Sequence, residues 1–280
     1  MIGIIHTDGM PVIGHPLHDN YVTAIRNTFK QPYRRVRGIS DLKGLDALFI
    51  VDELYGDVTN VWINDSFIKE VNNLKLRTVV FNFEKIENSV WSCNKNLFEK
   101  CKQIENLLYF FGDVEDREIH KGMLNKQLLT RETTLTKAKP EKNDRAIFVG
   151  QISPDVYTQR RQVLSDISKL NLPIDIHNSE RRLTYNEYLT LTSKYRYVLN
   201  PLGTGHFLNL RFYETLQLGC IPIQQVTKKI VESYPELSQN VCLTFYSPND
   251  IGNFFERKNF NPFNYYLEDY FNDIKLAQLI

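Results

Sequence analysis

At 280 residues the chain is long enough for two domains, each with its own hydrophobic core. Lys+Arg 34 against Asp+Glu 33 leave a net charge of +1, a balance that gives no electrostatic footprint for nucleic acid. No apolar run nears the roughly 18 residues needed to cross a membrane. The opening Met1-Ile-Gly-Ile-Ile-His-Thr-Asp8 lacks the basic start and long apolar core of a secretion signal. Cys93, Cys101, Cys220 and Cys242 show no CxxC pairing and no companion histidine spacing, so neither a zinc site nor a disulfide framework is expected. The expectation is a cytoplasmic protein with free thiols, no membrane span and no nucleic-acid partner.

Taken in chain order, short apolar runs alternate with amphipathic stretches. The pattern predicts strands at Ile2–His6, Ala47–Val51, Thr78–Asn82 and Leu107–Phe111, and helices at Asn20–Phe29, Ser66–Leu74 and Leu97–Ile104. Strands alternating with helices imply parallel pairing. A polar, charged stretch ending at Arg145 then reads as a linker. Beyond it come a strand at Ala146–Gly150, a helix at Val156–Leu170, a strand at Ile174–His177, a helix at Thr184–Ser193 and a strand at Tyr197–Asn200. A glycine-bearing loop, a short helix and strands at Ile221–Gln224 and Val241–Phe245 follow. The fold class expected is α/β, with an N-terminal domain over 1–135, a linker over 136–145, a second domain over 146–262 and a terminal helical segment over 263–280. For the aromatic tail from Phe260, ordinary core packing is the favoured role.

The most informative stretch runs from Asn200-Pro-Leu-Gly-Thr-Gly-His206 through Arg211 and Glu214 to Gly219-Cys-Ile-Pro-Ile223. Gly203 and Gly205 carry no Cβ, so backbone amides there can approach an anion closely. The helix that follows points its free N–H groups and positive dipole end back at the loop, with Asn209 placed to cap it. Arg211 and Glu214, three residues apart, share a helix face. A guanidinium suits a diphosphate and an acceptor-only carboxylate suits ribose hydroxyls. Pro201 and His206 frame the same loop. Gly150, at the end of an earlier strand, and Arg160 or Arg161, early on the next helix, also face the ligand side under the strand-end rule. Strand–loop–helix units of this kind also occur where nothing binds, and an Arg/Glu pair at this spacing is often only a surface ion pair.

The ordered set Tyr197-Val-Leu-Asn-Pro201, Pro-x-Gly, Arg211, two residues, Glu214 and Gly219-Cys-Ile-Pro-Ile223 resembles the C-terminal half of exostosin-like glycosyltransferases, tightly over this segment and loosely over about half of the chain. The resemblance implies a GT-B architecture, in which two Rossmann-like βαβ domains face a central cleft. It also implies a UDP-sugar donor, a glycan or glycoprotein hydroxyl as acceptor, and inversion at the anomeric carbon. In such enzymes a C-terminal helix crosses back onto the first domain, which is the reading for 263–280. The chain departs from eukaryotic members, which are anchored in the secretory pathway. It resembles the small exostosin-like transferases of large algal viruses, which points to xylose as the sugar and the host cytoplasm as the site. Glucuronic acid, galactose, arabinose and N-acetylglucosamine stay open.

No Asp-x-Asp motif is present to hold a divalent ion, the nearest approach being Asp113-Val-Glu115. The expectation is therefore no metal and no cofactor, with arginine and a helix N-terminus stabilising the leaving diphosphate. Inverting transfer needs one general base to take the acceptor's proton. Strand-end loops of the first half offer Asp52, Asp8, Asp19 and His15, with Glu84 a further carboxylate at a strand end. For Asp19, beside His18 at a helix start, the role of N-terminal cap is the stronger reading. Two other readings compete: a non-catalytic nucleotide- or glycan-binding protein of the same fold, and an NAD-dependent oxidoreductase. The latter needs Gly-x-Gly-x-x-Gly after a first strand, which the chain does not supply.

Overall fold

The structure, a computed structural model, describes residues 1–6, 17–52, 63–87, 92–133, 135, 140–153, 155–178, 183–256, 260, 261, 263 and 265–280. The chain divides into two compact units, Met1–Thr133 with Tyr265–Ile280, and Thr134–Asn264. No helix among the described residues is long and apolar enough to cross a membrane.

The first unit holds β1 (Ile2–His6), α1 (Leu17–Phe29), β2 (Tyr33–Arg35), β3 (Ala47–Asp52), α2 (Asp65–Asn73), β4 (Arg77–Asn82), α3 (Ser92–Cys101), β5 (Leu107–Phe111), α4 (Val114–His120) and β6 (Met123–Leu124). Its six strands are parallel in the order β2-β1-β3-β4-β5-β6. Side chains alternate across a strand, so a sheet covered on both faces needs continuous apolar runs such as Ala47-Leu-Phe-Ile-Val51. On one face Leu48, Ile50, Val80 and Phe111 pack with Phe67 and Val71 of α2 and Leu97 and Phe98 of α3. On the other, Phe49 and Phe81 meet aromatic rings from helices and Phe110 packs on Phe81. Phe81 lies 5.2 Å from Tyr21 of α1 and 5.4 Å from Phe271, centroid to centroid. Phe271 belongs to the terminal helix Leu267–Asp273, so the aromatic tail feeds this core. Burying each such ring contributes roughly 1.5–3 kcal/mol. Asn64 caps α2 through Phe67 N–H at 3.0 Å. Asp113, fully buried, caps α4 through the N–H groups of Glu115 and Asp116, so Asp113-Val-Glu115 is a helix start.

The second unit holds β7 (Asn143–Gly150), α5 (Thr158–Ser168), β8 (Ile174–Asn178), α6 (Tyr185–Thr192), β9 (Tyr195–Asn200), α7 (Leu210–Gln217), β10 (Ile221–Gln225), α8 (Lys228–Ser233) and β11 (Leu243–Phe245), and the terminal helix is thus α9. The five strands are parallel in the order β11-β10-β9-β7-β8. Ala146, Phe148, Tyr197, Leu199 and Ile223 face Leu164 and Ile167 of α5. Ile147, Val149 and Val198 face Leu189 of α6 and Leu218. Both faces are therefore covered, and each unit is a doubly wound parallel α/β sheet. Gly219, at φ 65, ends α7, with its N–H on Leu216 O and the Cys220 N–H on Thr215 O, a hydrogen-bond pattern that needs a left-handed residue there. Lys142 ties the C-terminal ends of α6 and α7 together. Its ammonium donates to Ser193 O at 3.0 Å, Leu218 O at 3.1 Å and Cys220 Sγ at 3.0 Å.

Several boundaries differ from the sequence reading. β7 begins at Asn143, inside the stretch read as a linker, because its first three residues are polar, exposed and offset from β9 by a register shift. α1 begins at Leu17, which places Asp19 in the first helical turn, where its charge complements the dipole, instead of at the cap. The sequence reading lacks β2, β6, α4 and α8, each too short to show a period.

Candidate anion-binding site

In the second unit β8 lies on one side of β7, while β9, β10 and β11 lie on the other. Strand order reverses between β7 and β9, and in open parallel sheets ligands bind outside the carboxyl ends at such a point. The loops that leave these two strands begin after Gly150 and at Pro201. Two arginines cross there, each reaching the loop next to the other's helix. Arg211, second residue of α7, lies where a Cβ on Gly150 would meet its Nη2 at 2.9 Å. Arg160, on α5, lies where a Cβ on Gly203 would meet its Nη2 at 2.7 Å. Both guanidiniums flank one ring, Phe148, at 5.5 Å for Arg211 and 6.0 Å for Arg160.

Their roles diverge. Arg160 is 6% exposed, donates from Nε to Leu202 O at 3.4 Å and from Nη1 to Gln151 O at 3.3 Å, and stacks 4.2 Å from the Tyr157 ring centroid. It braces the two loops against each other. Arg161, one residue on and so about 100° around the helix, is exposed and turned from this cluster. Arg211 is half-buried and donates from Nη1 to Asn200 Oδ1 at 3.4 Å. Beneath it a set of amides closes the ends of β9 and β10. Asn200 bonds Gln224 and Asn209, Asn209 caps α7 through Phe212 N–H at 3.3 Å, and Gln225 Oε1 takes the Leu202 N–H at 2.9 Å.

Glu214, one turn along α7, is 3% exposed and its Oε1 accepts from the Tyr185 hydroxyl at 2.7 Å. Burial, with that carboxylate nearby, holds the Tyr185 phenol above its ordinary value, so it stays a donor. Tyr188 is raised well above its own value for the same reasons, in a position that feels both Glu214 and Arg211. Pro201 and Gly205 are buried in the loop, and His206 is half-buried. Gly150 and Gly203 have ordinary φ values, and the space their missing Cβ atoms leave is filled by guanidinium groups.

Of the expected donor-side residues, the structure brings together Gly150, Arg160, Gly203, Asn209 and Arg211. It keeps Glu214 inward under Tyr185 and Arg161 outward. Sequence reasoning missed Phe148, Asn200, Gln224 and Tyr185. The pair Gln224-Gln225, polar residues closing an apolar strand, was the available signal for the amide set. In the first unit Asp52 closes β3 opposite Asn82, and Asp19 is exposed on α1. Asp8 and His15 lie outside the described residues.

No family model matches the chain, and no curated protein matches it. Among solved structures the chain is similar to one described as "Structure of probable two-component system response regulator/GGDEF domain protein". The identity is 12%, the match covers 89% of this chain and 94% of that one, and the TM-score is 0.24. A likeness that faint carries no argument. The fold rests on its own geometry, two doubly wound parallel α/β sheets with a cationic cluster at one strand-order reversal.

Proposed function

We propose that the chain is an inverting, metal-independent glycosyltransferase of the GT-B type. It moves a sugar, xylose first among the candidates, from a UDP-sugar to a hydroxyl of a glycan acceptor. One observation supports this above the rest: a half-buried guanidinium, Arg211, stands at the strand-order reversal beside Gly150, held by the neutral Asn200 amide. The resemblance of Tyr197–Ile223 to exostosin-like enzymes supports it too. In this reading Arg211 contacts the diphosphate and stabilises the charge that develops as the sugar departs, the part a metal plays in other transferases. Glu214 takes a ribose hydroxyl in exchange for that of Tyr185. The base is one of Asp52, Asp8, Asp19 and His15.

The test is release of UDP from a panel of UDP-sugars, with and without candidate glycan acceptors, for wild type and Arg211→Ala. Loss of a diphosphate contact made in the transition state lowers kcat/KM by about 10²–10³-fold. Unchanged kinetics in that variant refute the assignment. Activity abolished by a chelator and restored by Mn²⁺ overturns metal independence.

A further inference from the structure

We infer that Asn200 is a positioning residue for the anion, a neutral amide that aims the Arg211 guanidinium without neutralising it. This inference rests on the reading of Arg211 as the diphosphate contact. Asn200 is fully buried at the carboxyl end of β9, opposite Gln224 of β10. All of its amide is engaged. Oδ1 accepts from Arg211 Nη1 at 3.4 Å and from Asn209 Nδ2 at 3.3 Å, while Nδ2 donates to Gln224 Oε1 and to Asn209 Oδ1. Through Asn209, which caps α7, the same amide fixes both the helix start and the cation it carries.

The chemistry of this surround is uniform. Asn200, Asn209, Gln224 and Gln225 are amides, and the guanidinium also lies beside the Phe148 ring and near the Tyr188 phenol, a neutral group held protonated by burial. Among the described residues no carboxylate is ion-paired with Arg211, and the nearest acid along α7, Glu214, is turned to Tyr185. A carboxylate in the place of Asn200 would accept from Arg211 more strongly, because a charge-assisted bond to a guanidinium exceeds a neutral one, although it would lose the bonds that Nδ2 donates to Gln224 and Asn209. It would also cancel the charge that an incoming anion uses. Buried amides orient a cation and leave its field intact, whereas a merely structural anchor gains nothing from staying neutral.

The experiment titrates the full-length chain with inorganic pyrophosphate and with UDP, by calorimetry, for wild type, Asn200→Asp, Arg211→Met and the double variant. Asn200→Asp, nearly isosteric, is expected to weaken pyrophosphate and UDP by at least about tenfold and to cost nothing further once Arg211→Met is present. In thermal unfolding the introduced carboxylate and Arg211 show favourable coupling. Unchanged affinity in Asn200→Asp, or an equal loss in both backgrounds, overturns the inference. Should Asn200→Asp fail to fold, Asn200→Ser decides. It should lose affinity a few-fold only where Arg211 is present, and a loss independent of Arg211 overturns the inference. If wild type takes pyrophosphate but not UDP, the proposed function falls while the pyrophosphate cycle still judges Asn200. If it takes neither, the unfolding cycle judges: coupling supports the positioning role and its absence overturns it.

Discussion

Replacing Gly203 with alanine separates two accounts of the late glycine loop. Gly203 does not sit at positive φ, so a methyl there brings no backbone strain. Taken alone, the change stabilises by about 0.4–1 kcal/mol, because the unfolded chain loses freedom. Sterics oppose that gain. The new Cβ would stand 2.7 Å from Arg160 Nη2, and Arg160 has little room, being 6% exposed with bonds to Leu202 O and Gln151 O. Displacing it weakens two long charge-assisted bonds and its stack on Tyr157, together about 2 kcal/mol. The net expectation is a loss of about 1–2 kcal/mol. In an Arg160→Ala background the obstacle is gone and the substitution should turn stabilising, a coupling of about 2 kcal/mol. Urea unfolding followed by circular dichroism reads this as a change of midpoint at constant m. If Gly203→Ala stabilises in both backgrounds, the guanidinium does not fill that space.

Other substitutions probe separate parts of the molecule. Lys142→Met keeps the aliphatic stem but strips Ser193 O, Leu218 O and Cys220 Sγ of their shared donor, and should lower unfolding stability by about 2–3 kcal/mol. A loss under about 0.5 kcal/mol would mean that the ammonium is solvated. Tyr185→Phe frees Glu214 Oε1, so UDP affinity should rise a few-fold if that carboxylate binds ribose. Unchanged or weaker binding removes the ribose role. Asp116 is fully buried and accepts from Ile86 and Glu87 N–H, and burial, with Asp113 nearby, holds its carboxyl above the ordinary 3.8. An acid raised on folding costs stability above its folded value, and that cost is gone below 3.8. Wild type should therefore gain stability relative to Asp116→Asn as pH falls through that raised value toward 3.8. A difference independent of pH in denaturant titrations contradicts the shift.

Much of the fold was legible because apolar runs and turns are local. Ile2–His6 and Leu107–Phe111 agree end to end with the strands. β2, β6, α4 and α8, each of seven residues or fewer, escaped, since a period needs repeats to show. The site divides along the same line. Arg211 and its cap Asn209 follow from spacing along one short helix, which sequence carries. Choosing between Arg160 and Arg161 needs the helix phase, and a start at Thr158 instead of Val156 turns the helix by about 200°. The Asn200–Gln224 contact depends on the register between β9 and β10, which no local pattern encodes. For the glycines, sequence shows only that a Cβ is missing, and the structure shows that side chains fill the space.

Strand order, also invisible in the sequence, sorts the base candidates. The first unit repeats the layout of the second, with β2 on one side of β1 and β3 to β6 on the other. Its reversal therefore lies between β1 and β3, which run side by side up to His6 opposite Val51. Asp52 is the last residue of β3, and Asp8 and His15 fall within residues 7–16 that follow β1. Glu84 instead follows β4, beyond that reversal and on a strand flanked by β3 and β5. The rule that picks Gly150 and Arg211 out of the second unit thus favours Asp52 in the first and sets Glu84 aside, while Asp8 and His15 lie outside the described residues. Asp19 stands apart as well. Its first-turn place on α1 gives the carboxylate an electrostatic task that requires no substrate.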